Sequence, residues 1–333
     1  MSRRRKAEAL RAGDLGEFGL IALFRDLLPA PGSGVILGSG DDAAALAGDG
    51  KTLLFAVDAM VEGVHFDLGY VPWDSVGYKA LASNLSDLAA MGGCERSYAV
   101  VAMGMRGDMG VEDLKELQRG LLRCGEDFTC ELVGGDLVSS PRARFVAVAV
   151  LGVGPRAMGL MTRGGAREGD LVLVTGTLGD SYLGWLYLRK GGEPDHPCSR
   201  RHLYPAPRLR EGKIAAELGA SAAIDVSDGL VRDLGHICEE SGLGAEIFLS
   251  EIPVSPTAME LADTLGEDPY RAALSGGEDY ELVLTAPEQV AGEICRRTGA
   301  RVVGRMVKGE GVRVYDERGR LCDPGHAGYE HFR

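Results

Sequence analysis

Short apolar runs alternate with longer amphipathic segments along the chain, and this alternation predicts a mixed α/β fold. The runs predicted as buried strands are 52–57, which ends at Asp58, together with 144–151 and 171–174. The longest uncharged apolar stretch, 145–154, is far shorter than the roughly 20 residues that a membrane-spanning helix requires. The pattern therefore excludes a membrane helix and favours a protein with a buried sheet.

The clearest helical segment is 74–91, in which leucines recur at helical spacing. Asp74 is the predicted N-cap, and the glycines at 92–93 are the predicted stop signal. Asn84 and Asp87 are three residues apart and share a face that differs from the leucine face. The pattern therefore places a carboxylate on a helix whose opposite side packs into the core.

Two further helices are predicted, one over 111–124 and one that opens at Ser227. The segment 152–165 is rich in glycine and proline after a strand, which is typical of a domain boundary. The predicted organisation follows from this boundary: a flexible basic tail over 1–15, an N-terminal α/β domain over 16–153 and a C-terminal α/β domain over 154–333.

Composition limits the classes of partner. The 333 residues include 36 Lys and Arg against 49 Asp and Glu, a net charge of −13. Nucleic-acid and anionic-membrane binders need a basic surface, so neither is expected as a partner. The seven cysteines are odd in number and contain no CxxC pair, which predicts reduced thiols in a cytoplasmic protein.

Candidate chemistry lies in aspartates that follow apolar runs or stand in glycine-rich segments. The chain has no GxxxxGK[ST], HExxH or GxSxG motif. No Lys or Arg adjoins these aspartates in sequence, so converging carboxylates would repel one another unless Mg²⁺ neutralised them. Glycines and a helix N-terminus at Ser227 would admit phosphate oxygens. The pattern predicts a site for polyphosphate held through metal ions, built from Asp42, Asp58, Asp87, Asp136, Asp225 and Asp228.

Simpler interpretations stay open for each segment. An aspartate in a glycine-rich turn commonly binds only its own backbone, and spacing alone does not bring separate segments together. His65 is more often a structural group than a ligand, and Glu278 and Asp279, which precede a strand-like run, would by default be solvated.

Taken together, the motifs resemble the thiamine-monophosphate kinase family, of the aminoimidazole-ribonucleotide-synthetase-like superfamily. The resemblance extends over nearly the whole chain. It rests on Gly16-Glu-Phe-Gly-Leu-Ile-Ala22, Gly40-Asp-Asp42, Val57-Asp58, Gly63-Val-His65, Tyr78-Lys-Ala-Leu-Ala82, Asn84-Leu-Ser-Asp-Leu-Ala-Ala-Met-Gly92, Gly134-Gly-Asp136, Leu160-Met-Thr-Arg163, Ile224-Asp-Val-Ser-Asp-Gly-Leu230, Leu274-Ser-Gly-Gly-Glu-Asp-Tyr-Glu-Leu282 and Gly328-Tyr-Glu-His-Phe332.

This resemblance implies transfer of the γ-phosphate of ATP to thiamine monophosphate, with several Mg²⁺ ions. It also implies two α/β domains, with the N-terminal halves pairing into a homodimer around a β-barrel. The implied metal ligands are Asp42, Asp58, Asp87, Asp136, Asp225 and Asp228. The implied nucleotide contacts are Gly135, Asp136, Arg163 and Ser227. The implied contacts to thiamine monophosphate are His65, Glu278 and Tyr329.

One position departs from the family pattern, because Val57 stands where a threonine usually precedes the aspartate. Valine offers a metal only its backbone carbonyl, so Val57 would be a ligand through that atom alone. Other members of the superfamily remain as alternatives. Two of them need a reactive N-terminal or C-terminal cysteine that is absent here, and the purine-synthesis relative would not be expected to carry Ser275-Gly-Gly-Glu-Asp-Tyr280. A catalytically silent Mg-nucleotide-binding protein and a metal-dependent phosphatase are alternatives of other classes.

Overall fold

The strands of the molecule form two separate sheets, which the computed structural model describes over residues 12–155 and 159–323. The first sheet has the strand order β1-β2-β3-β6-β4-β5, and only β4 and β5 pair in parallel. Over the described residues this sheet is open, with β1 and β5 at its edges. Its strands are β1 (Val35–Leu37), β2 (Ala44–Gly48), β3 (Lys51–Val61), β4 (Arg96–Met105), β5 (Cys130–Ser139) and β6 (Phe145–Pro155).

The second sheet has the order β13-β12-β9-β11-β7-β10-β8, which leaves β8 at an edge. Its inner strand β10 is buried at every residue, as expected of a strand covered on both faces. The strands are β7 (Leu171–Val174), β8 (Ala222–Asp225), β9 (Gly244–Phe248), β10 (Leu282–Ala286), β11 (Arg301–Val307), β12 (Gly311–Tyr315) and β13 (Leu321–Cys322).

Helices cover the two sheets, and none in the described part of the chain has both the length and the apolar character to cross a membrane. Short 3-10 turns occur at Arg163–Gly165 and Leu249–Glu251. The helices are α1 (Ala12–Leu27), α2 (Trp73–Ala90), α3 (Val111–Phe128), α4 (Asp180–Arg189), α5 (Pro197–Leu203), α6 (Leu209–Leu218), α7 (Leu230–Ser241), α8 (Pro256–Leu265), α9 (Pro269–Ser275) and α10 (Glu288–Thr298).

Helix α2 is the central element, because nearly all of its residues are buried. It packs on β3 and β6 of the first sheet, on α3 and α6, and on β8 of the second sheet. Its contact with α3 requires glycine, since a Cβ at Gly77 would lie 2.0 Å from the carbonyl oxygen of Leu117. Side chains on the face of α2 that meets β8 are therefore held between the two sheets.

Several predicted boundaries are wrong. Strand β3 does not end at Asp58 but continues to Val61, because β6 pairs with it along its full length. Asp74 is not the N-cap of α2; Pro72 is, and proline at that position fixes an extended backbone. The predicted helix over 111–124 continues to Phe128, where Thr129 ends it in a left-handed conformation.

Three further expectations need correction. The segment containing Gly134 and Gly135 is not a loop but the middle of β5. Helix α7 begins at Leu230 rather than Ser227, because Gly229 precedes it as N-cap. Residues 12–15, predicted as part of a basic tail, belong to α1, whereas 1–11 lie outside the described residues. The domain limits at 153 and 154 stay a prediction.

Candidate functional site

Three carboxylates converge where the two sheets meet across α2. Asp42 follows β1, Asp87 lies on α2 and Asp225 ends β8. One oxygen of each lies within 4.8 Å of the others, close enough for a shared metal ion. Segments more than 180 residues apart in sequence therefore meet at one point, which the spacing of the aspartates alone could not establish.

Asp58 adjoins this group from β3. Strand β2 pairs with β3 only as far as Phe55, so the backbone beyond that residue is open on this side. The N–H of Asp58 instead donates to Oδ1 of Asn84 at 3.0 Å, and Nδ2 of Asn84 donates to the carbonyl of Ala80 at 2.9 Å. A buried amide of α2 thus fixes the position of Asp58 beside the converging carboxylates.

Simultaneous ionisation of the carboxylates in this cluster is unfavourable. Burial raises the pKa of Asp225 to about 8, and the charges of Asp42 and Asp58 add to the effect. Burial also raises the pKa of Asp87 well above its usual value, and the charges of Asp58, Asp225 and Asp42 raise it further. Such shifts measure how strongly a site disfavours negative charge, so the cluster is suited to binding cations.

Arg163, which is distant from these aspartates in sequence, supplies part of the counter-charge. Its guanidinium donates to Oδ1 of Asp42, and its backbone N–H donates to Oδ2 of Asp41 at 3.1 Å. Burial raises the pKa of Asp41 to about 6, and the charge of Asp42 adds to the shift. Among the residues that the structure describes, Arg163 is the cation that acts on these carboxylates, so their neutralisation there is incomplete.

The donor atoms at this point fit Mg²⁺. The cluster offers carboxylate oxygens, the ligands that hard divalent cations prefer. Oδ2 of Asp42 is buried and has no hydrogen-bond partner among the described residues. A buried acceptor of this kind is costly unless a ligand pairs with it, so Oδ2 of Asp42 is suited to bind a cation.

Two predicted site residues lie elsewhere in the same chain. Gly135 and Asp136 are exposed in the middle of β5, and Oδ1 of Asp136 accepts from the N–H of Leu137 at 3.0 Å. Strands β6 and β4 separate β5 from β3, a distance of about 14 Å at the usual spacing of paired strands. The fold therefore does not bring Asp136 to Asp58 within one subunit.

Ser227 and Asp228 lie just beyond Asp225, in the loop before α7. The carbonyl of Ser227 accepts the N–H of Glu278 at 2.8 Å, and Oδ2 of Asp228 lies 3.4 Å from Nε of Arg232. Neither residue belongs to the converging group of three. The loop lies next to the cluster without a helix N-terminus at Ser227, because α7 begins three residues later.

His65 and Glu278, predicted as substrate contacts, lie near each other. Nδ1 of His65 accepts the N–H of Val61 at 3.0 Å, and the positive charge of a protonated His65 would favour the ionised Glu278. Oε1 of Glu278 lies 2.5 Å from Nζ of the buried Lys79. The expectation of solvated acids here is wrong, because Glu278 is ion-paired and Asp279 is buried.

Two further residues predicted for the site, Tyr329 and Val57, are not among the side chains near the cluster that the structure describes. Tyr329 lies outside the described residues. The side chain of Val57 is 64% exposed on the outer face of the first sheet, because successive residues of a strand point to opposite faces.

Sequence reasoning missed Asp41, Lys79 and His202. Asp41 and Lys79 lie inside motifs that carry the family resemblance, and Asp41 is adjacent to Asp42. Their positions in these motifs were the sequence signal that could have identified them. His202 lies on α5, between motifs, and no sequence signal distinguishes it.

Comparison with known proteins places this architecture in a family. The AIR synthase related protein N-terminal domain model matches residues 40–154, and the C-terminal domain model matches residues 167–317. The chain is 36% identical to the thiamine-monophosphate kinase of Aquifex aeolicus (strain VF5) over 327 residues, covering 97% of this chain and 100% of that protein. It is 39% identical to the thiamine-monophosphate kinase of Escherichia coli (strain K12) over 280 residues, covering 82% and 83%.

A solved structure described as AaThiL complexed with AMPPCP and TMP is similar over its whole length. The TM-score is 0.86 at 34% identity, with 98% of this chain and 100% of that chain covered. Identity and coverage of this extent establish common descent of the whole chain, including both sheets. The chain therefore belongs to the thiamine-monophosphate kinase family of AIR synthase related proteins.

Proposed function

We propose that this protein transfers the γ-phosphoryl group of ATP to the phosphate of thiamine monophosphate, giving thiamine diphosphate and ADP. The observation that carries the proposal is the convergence of Asp42, Asp87 and Asp225 around a buried, unpartnered oxygen. Relatives that match the chain over most of its length are thiamine-monophosphate kinases. A structural relative is described as a complex with AMPPCP and TMP.

The cluster would hold Mg²⁺ through the carboxylates of Asp42, Asp58, Asp87 and Asp225. When bound, the ions neutralise phosphate charge and align donor with acceptor. Asp228, on the adjoining loop, and the backbone carbonyl of Val57 are proposed as further ligands, together with Asp136.

The acceptor phosphate is already anionic near neutral pH, so no general base is required. The site must instead overcome repulsion between two polyanions and bring them into line. Arg163 is proposed as a nucleotide contact, with Gly135 and Ser227. We expect direct in-line transfer, and a phosphorylated residue trapped after incubation with ATP alone would contradict it.

On the acceptor side, His65, Glu278 and Tyr329 are proposed to bind thiamine monophosphate. Glu278 carries a negative charge beside the cluster and would face the cationic thiazolium ring. Tyr329 would offer an aromatic face to that ring.

The active species is proposed to be a homodimer. The outer face of the first sheet exposes Phe55 (48%), Val57 (64%) and Val100 (45%), and Val57 and Val100 face the same residue of β6, Ala149, from its two sides. An apolar face of this kind is typical of an interface. Asp136 lies on β5 of the same sheet, so pairing of two outer faces would carry it toward the partner's cluster.

The dimer proposal is tested by light scattering and assay of a Phe55→Asp, Val100→Asp variant. We expect a folded monomer with little kinase activity. A wild-type chain that is monomeric and fully active would contradict the proposed dimer.

The reaction is tested by incubating the protein with ATP, Mg²⁺ and thiamine monophosphate and separating the thiamine species by chromatography. Thiamine diphosphate formed in step with ADP, and abolished by EDTA, is the expected result. Phosphate release without a thiamine product would favour a phosphatase, and ATP binding without turnover would favour a silent binding protein.

A further inference from the structure

Beside the carboxylate cluster lies a second charged group that the reaction as proposed does not use. Lys79 on α2 has a side chain only 5% exposed, and its Nζ lies 2.5 Å from Oε1 of Glu278. Nδ1 of His202 on α5 lies 3.5 Å from Oε2 of the same carboxylate and 3.2 Å from Oγ of Ser181. The ammonium of Lys79 thus binds one oxygen of this carboxylate, and a histidine from a second helix lies beside the other oxygen.

The backbone at Glu278 is held just as firmly. Glu278 and Tyr280 adopt left-handed conformations, with φ of 64° and 51°, which costs non-glycine residues about 1–2 kcal/mol each. Their N–H groups donate to the carbonyls of Ser227 and Val226 at 2.8 and 3.0 Å. Strain of this kind persists where surrounding contacts fix the chain, and it is concentrated at functional sites.

This arrangement leaves Glu278 able to accept a further partner. Its side chain keeps 32% of its surface exposed, and a carboxylate has about four lone-pair positions. A small cavity of about 10 Å³ is bounded by His65, Lys79 and His202, and the charges of these three residues act on the Glu278 carboxyl. Glu278 therefore lies near His65, the other proposed substrate contact.

We infer that Lys79 is a positioning residue for the acceptor substrate: its ammonium fixes the carboxylate of Glu278 toward the cationic ring of thiamine monophosphate. The inference rests on the proposed function. It adds a residue that does not touch the reacting phosphates and acts only through Glu278.

The charges around Glu278 make this role distinguishable from simple packing. The groups that face the carboxyl are Lys79 from α2, His202 from α5 and His65 from the loop after β3, with the phenols of Tyr70 and Tyr280 nearby. Burial lowers the pKa of His202 to about 3, and the charge of Lys79 contributes to the decrease. Burial and the charge of Lys79 together keep His202 neutral at physiological pH.

Removal of Lys79 should remove its lowering effect on the pKa of His202. In a Lys79→Met variant His202 faces Glu278 without a competing ammonium, so its pKa should rise and its protonated form should replace Lys79 as pH falls. The KM for thiamine monophosphate should increase at least about tenfold at pH 8, with a smaller change in the KM for ATP. Part of this increase should be recovered between pH 8 and pH 6.

The experiment compares steady-state kinetics of wild type, Lys79→Met, Lys79→Arg and the double variant Lys79→Met, His202→Gln. Taking the ratio to wild type at each pH cancels titration of the substrate phosphate, which occurs near pH 6. Arginine should retain most of the affinity for thiamine monophosphate, because it keeps a cation in place. The double variant should lose the recovery at low pH.

Folding is controlled by circular dichroism and by a Lys79→Met, Glu278→Gln variant, which removes both charges and leaves no buried ion unpaired. This variant should fold and still bind thiamine monophosphate weakly. A Lys79→Met enzyme whose two KM values change equally, or whose defect does not depend on pH, would overturn the inference. Wild-type protein that forms no thiamine diphosphate would instead refute the proposed function.

Discussion

Two acidic regions of this molecule are neutralised in opposite ways. Asp42, Asp58, Asp87 and Asp225 crowd together with one guanidinium, that of Arg163, against them. Glu281 is alone and fully buried, yet it is bound by both Arg201 and Arg208 and by the hydroxyl of Thr175 at 2.6 Å. The first region has an excess of negative charge, whereas the second has none.

This difference indicates that the aspartate cluster serves binding and catalysis, whereas the ion pairs of Glu281 serve the stability of the fold. A buried carboxylate with all its partners needs nothing from solution, and breaking such a group leaves an uncompensated ion. A carboxylate cluster without enough cations destabilises the protein until a ligand supplies them. We therefore expect mutation to affect activity in one region and stability in the other.

The largest effect is expected for Asp225→Asn. Loss of one converging oxygen should reduce kcat by about 10³-fold or more, because charge stabilisation through the site is a major part of catalysis. The melting temperature measured in EDTA should stay the same or rise, since one source of repulsion is removed. The exposed Asp263→Asn is the matched control, and a strongly destabilised but active Asp225→Asn protein would contradict the comparison.

The second prediction concerns Glu281→Gln, which keeps the shape of the side chain and removes its charge. Two arginines then lose their carboxylate, so the free energy of unfolding should fall by about 3–5 kcal/mol. Denaturant melts measure this loss. Activity per folded molecule should remain within about twofold of wild type, and a selective loss of kcat would instead place Glu281 in the catalytic site.

The chemistry of the cluster could be predicted from sequence because it depends on residue types at strand ends. Asp225 ends an apolar run directly, and Asp42 stands in the short glycine-containing connection after another such run, so their places near strand ends could be derived from local pattern. Their convergence could not, since it depends on α2 packing against β8 of a different sheet.

Asp136 shows the opposite case. Its motif is as distinct as the others, but two strands, β6 and β4, lie between β5 and β3 in the sheet. No local sequence pattern contains strand order. The partners of Glu278 could not be predicted from the sequence either. Lys79 and His202 lie about 200 and 76 positions away from Glu278 along the chain. Long-range ion pairs are decided by tertiary packing, which a single sequence does not contain.

Asp279 is a third kind of buried carboxylate, because its hydrogen-bond donors are neutral backbone N–H groups rather than arginines. Its oxygens accept the N–H groups of Gly179 and Ser181 at 2.7 and 3.0 Å, at the start of α4. Burial nevertheless raises its pKa from 3.8 to about 7. The folded state therefore holds this proton more tightly than the unfolded state does, and stability is lost as pH rises from about 4 to 7.

We expect Asp279→Asn to remove this part of the pH dependence. The free energy of unfolding should vary less steeply with pH than in wild type, by up to about 1.4 kcal/mol per pH unit within that range. Urea melts at several pH values measure the slope, and Asp263→Asn again serves as control. A slope identical to that of wild type would mean that Asp279 is ionised throughout.

The smallest effect is expected at Glu246, which has the same kind of partners as Glu281 in a wetter setting. Arg305 and Arg313 lie 2.9 and 3.4 Å from its oxygens, but their side chains are 58% and 43% exposed. Water can replace the lost partner, so Glu246→Gln should cost less than about 1 kcal/mol. Denaturant melts beside Glu281→Gln test this directly, and equal losses would show that the number of arginines, rather than burial, determines the stability of these ion pairs.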